Sequence, residues 1–140
     1  MTLEIASGDW ATLGAACSAI RKTVFIEEQQ VPQDEEWDGR DPQCLHVLLR
    51  VEGRPMGTAR LLPDGHIGRV AILREGRGQG LGLRLMEAVM EKARQQGHDA
   101  VHLDAQTYAI PFYERLGFVA HGETFLDANI PHRHMSLTFQ

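Results

Sequence analysis

A glycine-rich segment is the part of this sequence whose residue types and spacing point most directly to chemistry. Glycines occupy positions 76, 78, 80 and 82, between a strand-like run and a helical pattern that begins near Leu81. Because glycine has no Cβ, backbone N–H groups in such a loop can close on an anion, and the following helix adds partial positive charge. The segment therefore predicts a binding site for phosphate groups.

Two common phosphate-binding motifs do not fit this loop. A dinucleotide-binding G-x-G-x-x-G that starts at Gly78 requires glycine at position 83, where the sequence has Leu83. A P-loop requires Lys and then Ser or Thr after its last glycine, and no G-K-[ST] follows here. We therefore exclude both of these interpretations.

The loop has instead the pattern R-x-x-G-x-G over residues 77–82, and it resembles the GNAT acetyltransferases. The resemblance extends to GRVAI at 68–72, to LDAQ at 103–106 and to FYERLGF at 112–118. A glycine loop alone is a weak signal, but the loop and the aromatic motif at this separation are a strong one. The resemblance therefore predicts the family.

The flanks of these motifs narrow the resemblance. The segments RKTVFIEEQ at 21–29 and NIPH at 129–132 are similar to the ElaA-like and YjcF-like branch of the superfamily. The first segment, with the acidic loop after it, is also similar to acyl-homoserine-lactone synthases, which share the fold. The substrates of the ElaA-like and YjcF-like branch are poorly defined, so similarity to this branch specifies the fold more than the function.

The resemblance implies the fold and the cosubstrate. The fold is α/β (α+β), a GNAT fold with a central mixed, mostly antiparallel sheet of six to seven strands, helices on both faces, and strands four and five parallel and splayed. Acetyl-CoA would place its pantetheine arm between those two strands and its pyrophosphate on the glycine loop. The implied cofactor-binding residues are Val70, Ala71, Ile72, Arg77, Gly78, Gln79, Gly80, Leu81, Gly82 and Gln106.

Acetyl transfer to an amine in a ternary complex needs a base and an acid. An alkyl ammonium titrates near about 10.4, so a base must remove its proton. Many relatives are expected to carry an acidic residue on the fourth strand, but residues 66–72 contain no carboxylate. We expect Glu28 or His132 as the base, because each lies in a flank that resembles the branch, and Tyr113 as the acid that protonates the thiolate. Further candidates for the base are Asp38, Asp104 and His134.

The acceptor is expected to be a primary amine on a small molecule or a peptide. Seven carboxylates lie between residues 27 and 41, where they form a solvated loop or attract a cationic amine. Arg60 is a weaker candidate for binding an anionic part of the acceptor. Two alternatives to acetyl transfer stay open, an acyl-homoserine-lactone-synthase-like activity and a catalytically silent acetyl-CoA-binding module.

Composition limits the remaining possibilities. The 140 residues predict a single domain over 1–140, and a net charge of -5 argues against a nucleic-acid partner. No apolar run is long enough for a membrane span, and the N-terminus lacks the pattern of a secretory signal, so we expect a cytoplasmic protein. Cys17 and Cys44 are expected to be packing residues, no metal is expected, and exposed edge strands make a homodimer a possibility. The histidines interpreted as scattered surface or packed residues are His46, His66, His98, His102 and His121.

Periodicity and turn signals predict the elements that must position these groups. Strands are expected at 3–6, 45–51, 56–62, 67–73 and 100–105, followed by a closing pair at 118–120 and 134–139. Helices are expected at 10–22, 81–96 and 110–116, with a short helical turn at 25–29. The strand, the glycine loop and the second long helix follow one another directly, as a phosphate site at a helix N-terminus requires.

Overall fold

The computed structural model describes residues 2–140 and contains seven strands in two antiparallel sheets. The first sheet has the order β1-β2-β3-β4 and the second has the order β5-β7-β6. The strands are β1 (Leu3–Gly8), β2 (Leu45–Val51), β3 (Arg54–Leu61), β4 (Ile67–Ile72), β5 (Ala100–Gln106), β6 (Val119–Asp127) and β7 (Ile130–Thr138). The helices are α1 (Trp10–Arg21), α2 (Gln33–Glu36), α3 (Leu81–Gln95) and α4 (Ile110–Arg115).

The two sheets meet where β4 and β5 begin. His66 and His102 form a single parallel bridge, supported by the backbone hydrogen bond from His102 N to Gly65 O at 3.2 Å. Beyond that bridge β4 pairs with β3 and β5 pairs with β7, so the two parallel strands separate toward their C-terminal ends. The prediction of parallel, splayed fourth and fifth strands is therefore confirmed, with the sheet divided into two parts at the splay.

Helices cover both faces of the first sheet because β2 alternates its side chains between them. Leu48 packs with α1 residues Leu13, Cys17 and Ile20 on one face. Val47 and Leu49 pack on the other face, against the apolar side of α3. Cys17 is fully buried in the first of these layers, as the sequence predicts for a packing residue.

A β-bulge interrupts the pairing of β3 with β4. Thr58 pairs with Ala71 and Arg60 pairs with Gly68, so the single residue Ala59 lies opposite two residues of β4. One of these, Arg69, has a φ of 51°, a left-handed conformation that costs a non-glycine residue on the order of 1–3 kcal/mol. Its guanidinium donates to the carbonyl of Glu36 at 3.0 Å, and this contact helps to hold the bulge. The bulge lies in the middle of the strand that borders the splay.

Two of the predicted elements differ from the structure. The helix that begins after Asp9 continues past residue 22, because Lys22–Glu28 forms a π-helix in direct extension of α1 instead of a separate turn. Its i to i−5 pattern includes the bond from Gln29 N to Val24 O at 3.2 Å. The closing hairpin is also longer than predicted, and Pro131 is the second residue of β7, which begins directly after a two-residue turn at 128–129.

The acidic stretch after the π-helix is folded around buried arginines. Arg21 contacts Glu36 and donates two hydrogen bonds to Asp41, at 2.7 and 3.1 Å, and all three residues are buried. Burial would raise the pKa of Asp41, but the hydrogen bonds from Arg21 and the charges of Arg21 and Arg60 lower it below its usual value. Part of this stretch is therefore a structural ion-pair network, which differs from a fully solvated loop.

Arg60 and Asp38 belong to the same network. Arg60 is 4% exposed, and its guanidinium donates to the two Asp38 oxygens at 3.0 and 2.5 Å. The expectation that Arg60 binds an anionic part of the acceptor is therefore wrong, since the residue is buried and its two terminal nitrogens donate to carboxylates inside the protein. Asp38 is also a poor base, because hydrogen bonds from Arg60 and Arg40 outweigh burial and hold its pKa far below the usual range.

The helices of the described chain are all too short or too polar to cross a membrane.

Arg21→Ala is expected to lower the free energy of unfolding by about 3–5 kcal/mol, because it leaves Glu36 and Asp41 with buried, uncompensated charge. Urea denaturation followed by circular dichroism measures the change. Arg54→Ala is the matched control, since the Arg54–Glu75 pair lies in solvent with side chains 63% and 51% exposed. Equal stability of the two variants would show that the buried network contributes nothing.

Candidate active site

A cavity of about 560 Å³ fills the space between the separating strands β4 and β5. It extends from His66 and Asp104, near the bridge that joins the strands, to Arg77 and Gly82 in the glycine loop. One wall comes from the π-helix and another from α4 and β7. The residues that the sequence singled out and that line this cavity are Glu28, Val70, Ala71, Ile72, Arg77, Gly82, Asp104, Gln106, Tyr113 and His132.

The glycine loop has the backbone conformation that its composition predicts. Gly78 and Gly80 have φ values of 79° and 78°, in the left-handed region that disfavours residues with a Cβ. A Cβ added at either position would meet nothing within 4 Å, so the space in front of the loop is open to a ligand. Gly80 is the N-cap of the fifteen-residue helix α3, whose N-terminus favours an anion. The geometry fits a pyrophosphate.

The other residues of the loop have different surroundings. Leu81 is 2% exposed and its side chain packs into the core, so a ligand at the loop could contact this residue only through its backbone. Gln79 donates to the carbonyl of Glu75 at 3.2 Å and closes the turn before α3. A Cβ at Gly82 would lie 3.4 Å from the ring of Phe112, an ordinary van der Waals distance, so the packing of α4 against α3 does not by itself require glycine here.

Arg77 connects the loop to two walls of the cavity. Its Nε donates to the carbonyl of Ile72 at 2.9 Å, and its terminal nitrogen contacts the two oxygens of Glu28 at 3.0 and 3.1 Å. The carboxylate of Glu28 is therefore committed to a guanidinium at the glycine-loop end of the cavity. This placement suits a residue that positions Arg77 better than one that removes a proton from the acceptor.

Tyr113 lies on α4 and is 8% exposed at the cavity wall. Its ring makes edge-to-face contacts with Phe112 and Phe118, at centroid distances of 5.1 and 5.9 Å. Burial raises the pKa of Tyr113 well above its usual value, and the neighbouring Tyr108 adds to this shift. The phenol is therefore protonated at neutral pH and can act as a proton donor.

His132 lies on β7 and is 9% exposed. Its Nδ1 is 2.6 Å from the carbonyl of Ile130, and a carbonyl can only accept, so Nδ1 carries the hydrogen. In the neutral ring Nε2 then has a free lone pair, which is what a general base requires. Phe125 stacks on the ring at 5.9 Å and helps to fix its orientation.

Gln106 lies at the C-terminal end of β5 and reaches the opposite wall. Its amide nitrogen donates to the side-chain oxygen of Gln29 at 2.9 Å. Together with the pair between Glu28 and Arg77, this bond ties the end of the π-helix to both of the separating strands. Three residues of the π-helix, Val24, Phe25 and Glu28, line the cavity.

Residues that the sequence did not single out, or ranked low, meet at the end of the cavity near the bridge between β4 and β5. His66 contacts His102 with 3.1 Å between their Nδ1 atoms, and its Nε2 is 4.0 Å from Asp104 Oδ2. His134 donates a short hydrogen bond to Asp104 Oδ1. Because side chains alternate along a strand, the sequence could have predicted that residues 102, 104 and 106 share one face of β5. Their partners on β4 and β7 depend on strand pairing, which the sequence does not show.

Comparison with known proteins identifies the class to which this fold and site belong. Residues 15–139 match the family model described as the acetyltransferase (GNAT) domain. The chain belongs to the GNAT family of acetyltransferases, which are enzymes. The uncharacterized N-acetyltransferase YjcF of Bacillus subtilis is 36% identical over 120 residues, which cover 83% of this chain and 86% of that protein.

Solved structures support the same assignment. An acyl-CoA N-acyltransferase from Pseudomonas aeruginosa has 34% identity and a TM-score of 0.87, over 96% of this chain and 99% of that one. ElaA of Escherichia coli has 26% identity and a TM-score of 0.87, also over 96% and 99%. The predicted family and its ElaA-like and YjcF-like branch are thus confirmed.

Arg77→Ala is expected to raise the Kd for CoA about tenfold or more, because a charge-assisted hydrogen bond to the pyrophosphate is lost. Isothermal titration calorimetry measures the change. Pantetheine, which lacks the pyrophosphate, serves as the control ligand and should bind the variant and the parent protein equally well. An equal loss of affinity for both ligands would mean that Arg77 acts by holding Ile72 and Glu28 in place.

Proposed function

We propose that this protein moves the acetyl group of acetyl-CoA to a primary amine by direct transfer within a ternary complex. The observation that carries the proposal is the cavity between β4 and β5, which has an anion-binding loop at one end and both Tyr113 and His132 in its walls. Such a cavity can hold a linear thioester beside a strand, with its phosphates at the helix N-terminus. The acceptor amine would then enter from the side of β7 and the π-helix.

The cosubstrate is held by groups along the whole length of the cavity. The pyrophosphate binds the N–H groups of residues 78–82 with help from Arg77, and the pantetheine arm pairs with the backbone of Val70, Ala71 and Ile72. Gln106 contacts the arm from the other strand. The carbonyl of Ile72 already accepts a hydrogen bond from Arg77. The pantetheine would therefore share that carbonyl or bond to the backbone groups of Arg69 and Val70 at the bulge.

Transfer requires that the amine first lose a proton. His132 Nε2 takes this proton, and the nitrogen lone pair then attacks the thioester carbon. The C–N bond forms as the carbonyl becomes an oxyanion, which a backbone N–H near Ile72 stabilises. The C–S bond then breaks, and the electron pair leaves on sulfur. Tyr113 donates its phenolic proton to the thiolate and regains a proton from solvent. The nitrogen loses its second proton as the amide forms, and this proton also passes to solvent through His132, which has by then released the first.

The placement of Glu28 supports His132 over Glu28 as the base. Glu28 is paired with Arg77 at the end of the cavity where the phosphates bind, whereas the thioester lies farther along β4. His132 is held in the tautomer that leaves Nε2 free by its bond to Ile130. Glu28 instead keeps the guanidinium of Arg77 directed across the cavity.

The decisive experiment measures release of free thiol from acetyl-CoA across a library of amines, with mass spectrometry of the product. Amine-dependent thiol release and a mass gain of one acetyl group on the amine are expected. Replacement of acetyl-CoA by longer acyl donors, free or on an acyl carrier protein, tests the lactone-synthase-like alternative. Tight acetyl-CoA binding without acetylation of any amine would favour a catalytically silent module and contradict the proposal.

Tyr113→Phe is expected to lower kcat by roughly 100-fold, the scale typical of a lost general acid, and to leave the affinity for CoA unchanged. Steady-state kinetics and calorimetry measure the two quantities. Phe112→Leu, at the adjacent ring that has no hydroxyl, is the control for altered packing. Full turnover in Tyr113→Phe would remove this residue from the mechanism.

His132→Gln and Glu28→Gln are expected to have different kinetic effects. Loss of the base should lower kcat by about 100-fold or more in His132→Gln. Loss of the partner of Arg77 should instead raise the KM for acetyl-CoA in Glu28→Gln, with a smaller change in kcat. The opposite result, a collapse of kcat only in Glu28→Gln, would exchange the roles of the two residues.

A further inference from the structure

Asp104 has a fixed orientation at the end of the cavity near the bridge between β4 and β5. Its Oδ1 accepts a short hydrogen bond from Nδ1 of His134, a side chain that is 52% exposed. Its Oδ2 lies 4.0 Å from Nε2 of His66, and its side chain is 30% exposed. Asp104 and His66 both line the cavity. His134 therefore holds Oδ1 of Asp104, while the side chain of Asp104 borders the space that a ligand would occupy.

The register of the second sheet places Asp104 beside the candidate base. Asp104 pairs with His134 and Gln106 pairs with His132, so the four side chains share one face of the antiparallel ladder. Asp104 and His132 are diagonal neighbours on that face, within reach of a single small group between them. An ammonium group could therefore donate to Asp104 and present another N–H to His132.

The surroundings leave the charge of Asp104 without a permanent cation. Burial lowers the pKa of His66, although Asp104 opposes that shift, so His66 is uncharged at neutral pH. The arginines that line the cavity, among the described residues, are Arg69 and Arg77, and both are engaged elsewhere. Arg69 donates to the carbonyl of Glu36 and to Asp38, while Arg77 is paired with Glu28.

We propose that Asp104, oriented by His134, binds the ammonium group of the acceptor at the end of the cavity near the bridge between β4 and β5, before His132 removes the proton. This inference rests on the proposed acetyl transfer, because only that reaction makes the bound ammonium group the reacting amine. Asp104 is thus a substrate-binding residue, and His134 is a positioning residue that acts through it.

This role limits the class of acceptor. An α-amino acid would bring its own carboxylate next to Asp104, where like charges repel and no uncommitted arginine lines the described cavity to compensate. An amine whose neighbouring group is neutral or cationic avoids this cost. Amines such as amino-acid amides and diamines are therefore preferred over free α-amino acids.

The test is direct binding of amines to the CoA-loaded protein, since CoA carries no acetyl group and no turnover occurs. Glycinamide and glycine are a suitable pair, because they differ little except for the charge beside the ammonium. NMR titration gives Kd, and the imidazole proton signals of His134 report whether the amine binds at Asp104. The variants are Asp104→Asn, Asp104→Glu as the conservative replacement, and Asp99→Asn, which makes the same charge change at an exposed residue just before β5.

Glycinamide is expected to bind at least about tenfold more tightly than glycine and to shift the His134 signals. Asp104→Asn should weaken glycinamide binding about tenfold or more and reduce the difference between the two ligands, while Asp104→Glu should restore part of the affinity. Asp99→Asn should bind as the parent protein does. In turnover assays Asp104→Asn should raise the KM for the amine with little change in the KM for acetyl-CoA.

Unchanged glycinamide affinity in Asp104→Asn would overturn the inference, and so would equal affinity for glycine and glycinamide. Failure of both amines to bind the loaded parent protein at about 50 mM would overturn it as well. Binding that depends on Asp104, without acetylation of any amine from acetyl-CoA, would instead count against the proposed function. The two failures are therefore distinguishable. Thermal melting confirms that each variant is folded before titration.

Discussion

The cavity depends on the separation of β4 and β5 after a single point of contact. A regular parallel pair would use the backbone groups of both strands in hydrogen bonds and leave no room between them. Here the bridge between His66 and His102 is followed by strands that pair with other partners. The bulge at Arg69 adds an extra residue to β4 and increases its local twist. Backbone groups at the splay thereby become available to a ligand.

The buried ion pairs explain how an acidic, irregular segment can form one wall of that cavity. Arg21 and Arg60 each contact two carboxylates from residues 36–41, and Arg69 donates to the backbone of the same segment. Buried charges of one sign alone would be costly, but these are matched by neighbours of opposite sign. The segment is therefore held against β3 and β4 by electrostatics as much as by apolar packing. The bulge and the acidic wall stabilise each other.

The two ends of the cavity have opposite electrostatic character, which fits a reaction between a phosphate-bearing donor and a cationic acceptor. At one end the N-terminus of α3 and Arg77 favour anions. At the other end the carboxylate of Asp104 lies beside His134 and His66, and burial lowers the pKa of His66. Tyr113 and His132 also line this cavity and supply the proton donor and the free imidazole nitrogen that a transfer step needs. In the proposed reaction, charge separation along one cavity would orient both substrates.

The sequence by itself determined the glycine loop, the order of strand, loop and helix, and the aromatic motif with Tyr113, because these are local patterns set by backbone conformation and short-range periodicity. It did not determine the length of the closing hairpin or the continuation of α1 as a π-helix. Only the tertiary structure decided that Glu28 pairs with Arg77 and that Asp104 lies between His134 and His66. These contacts join segments about 30 to 50 positions apart, and they depend on strand register and ion-pair partners that are established only when the sheets, the helices and the acidic segment pack together.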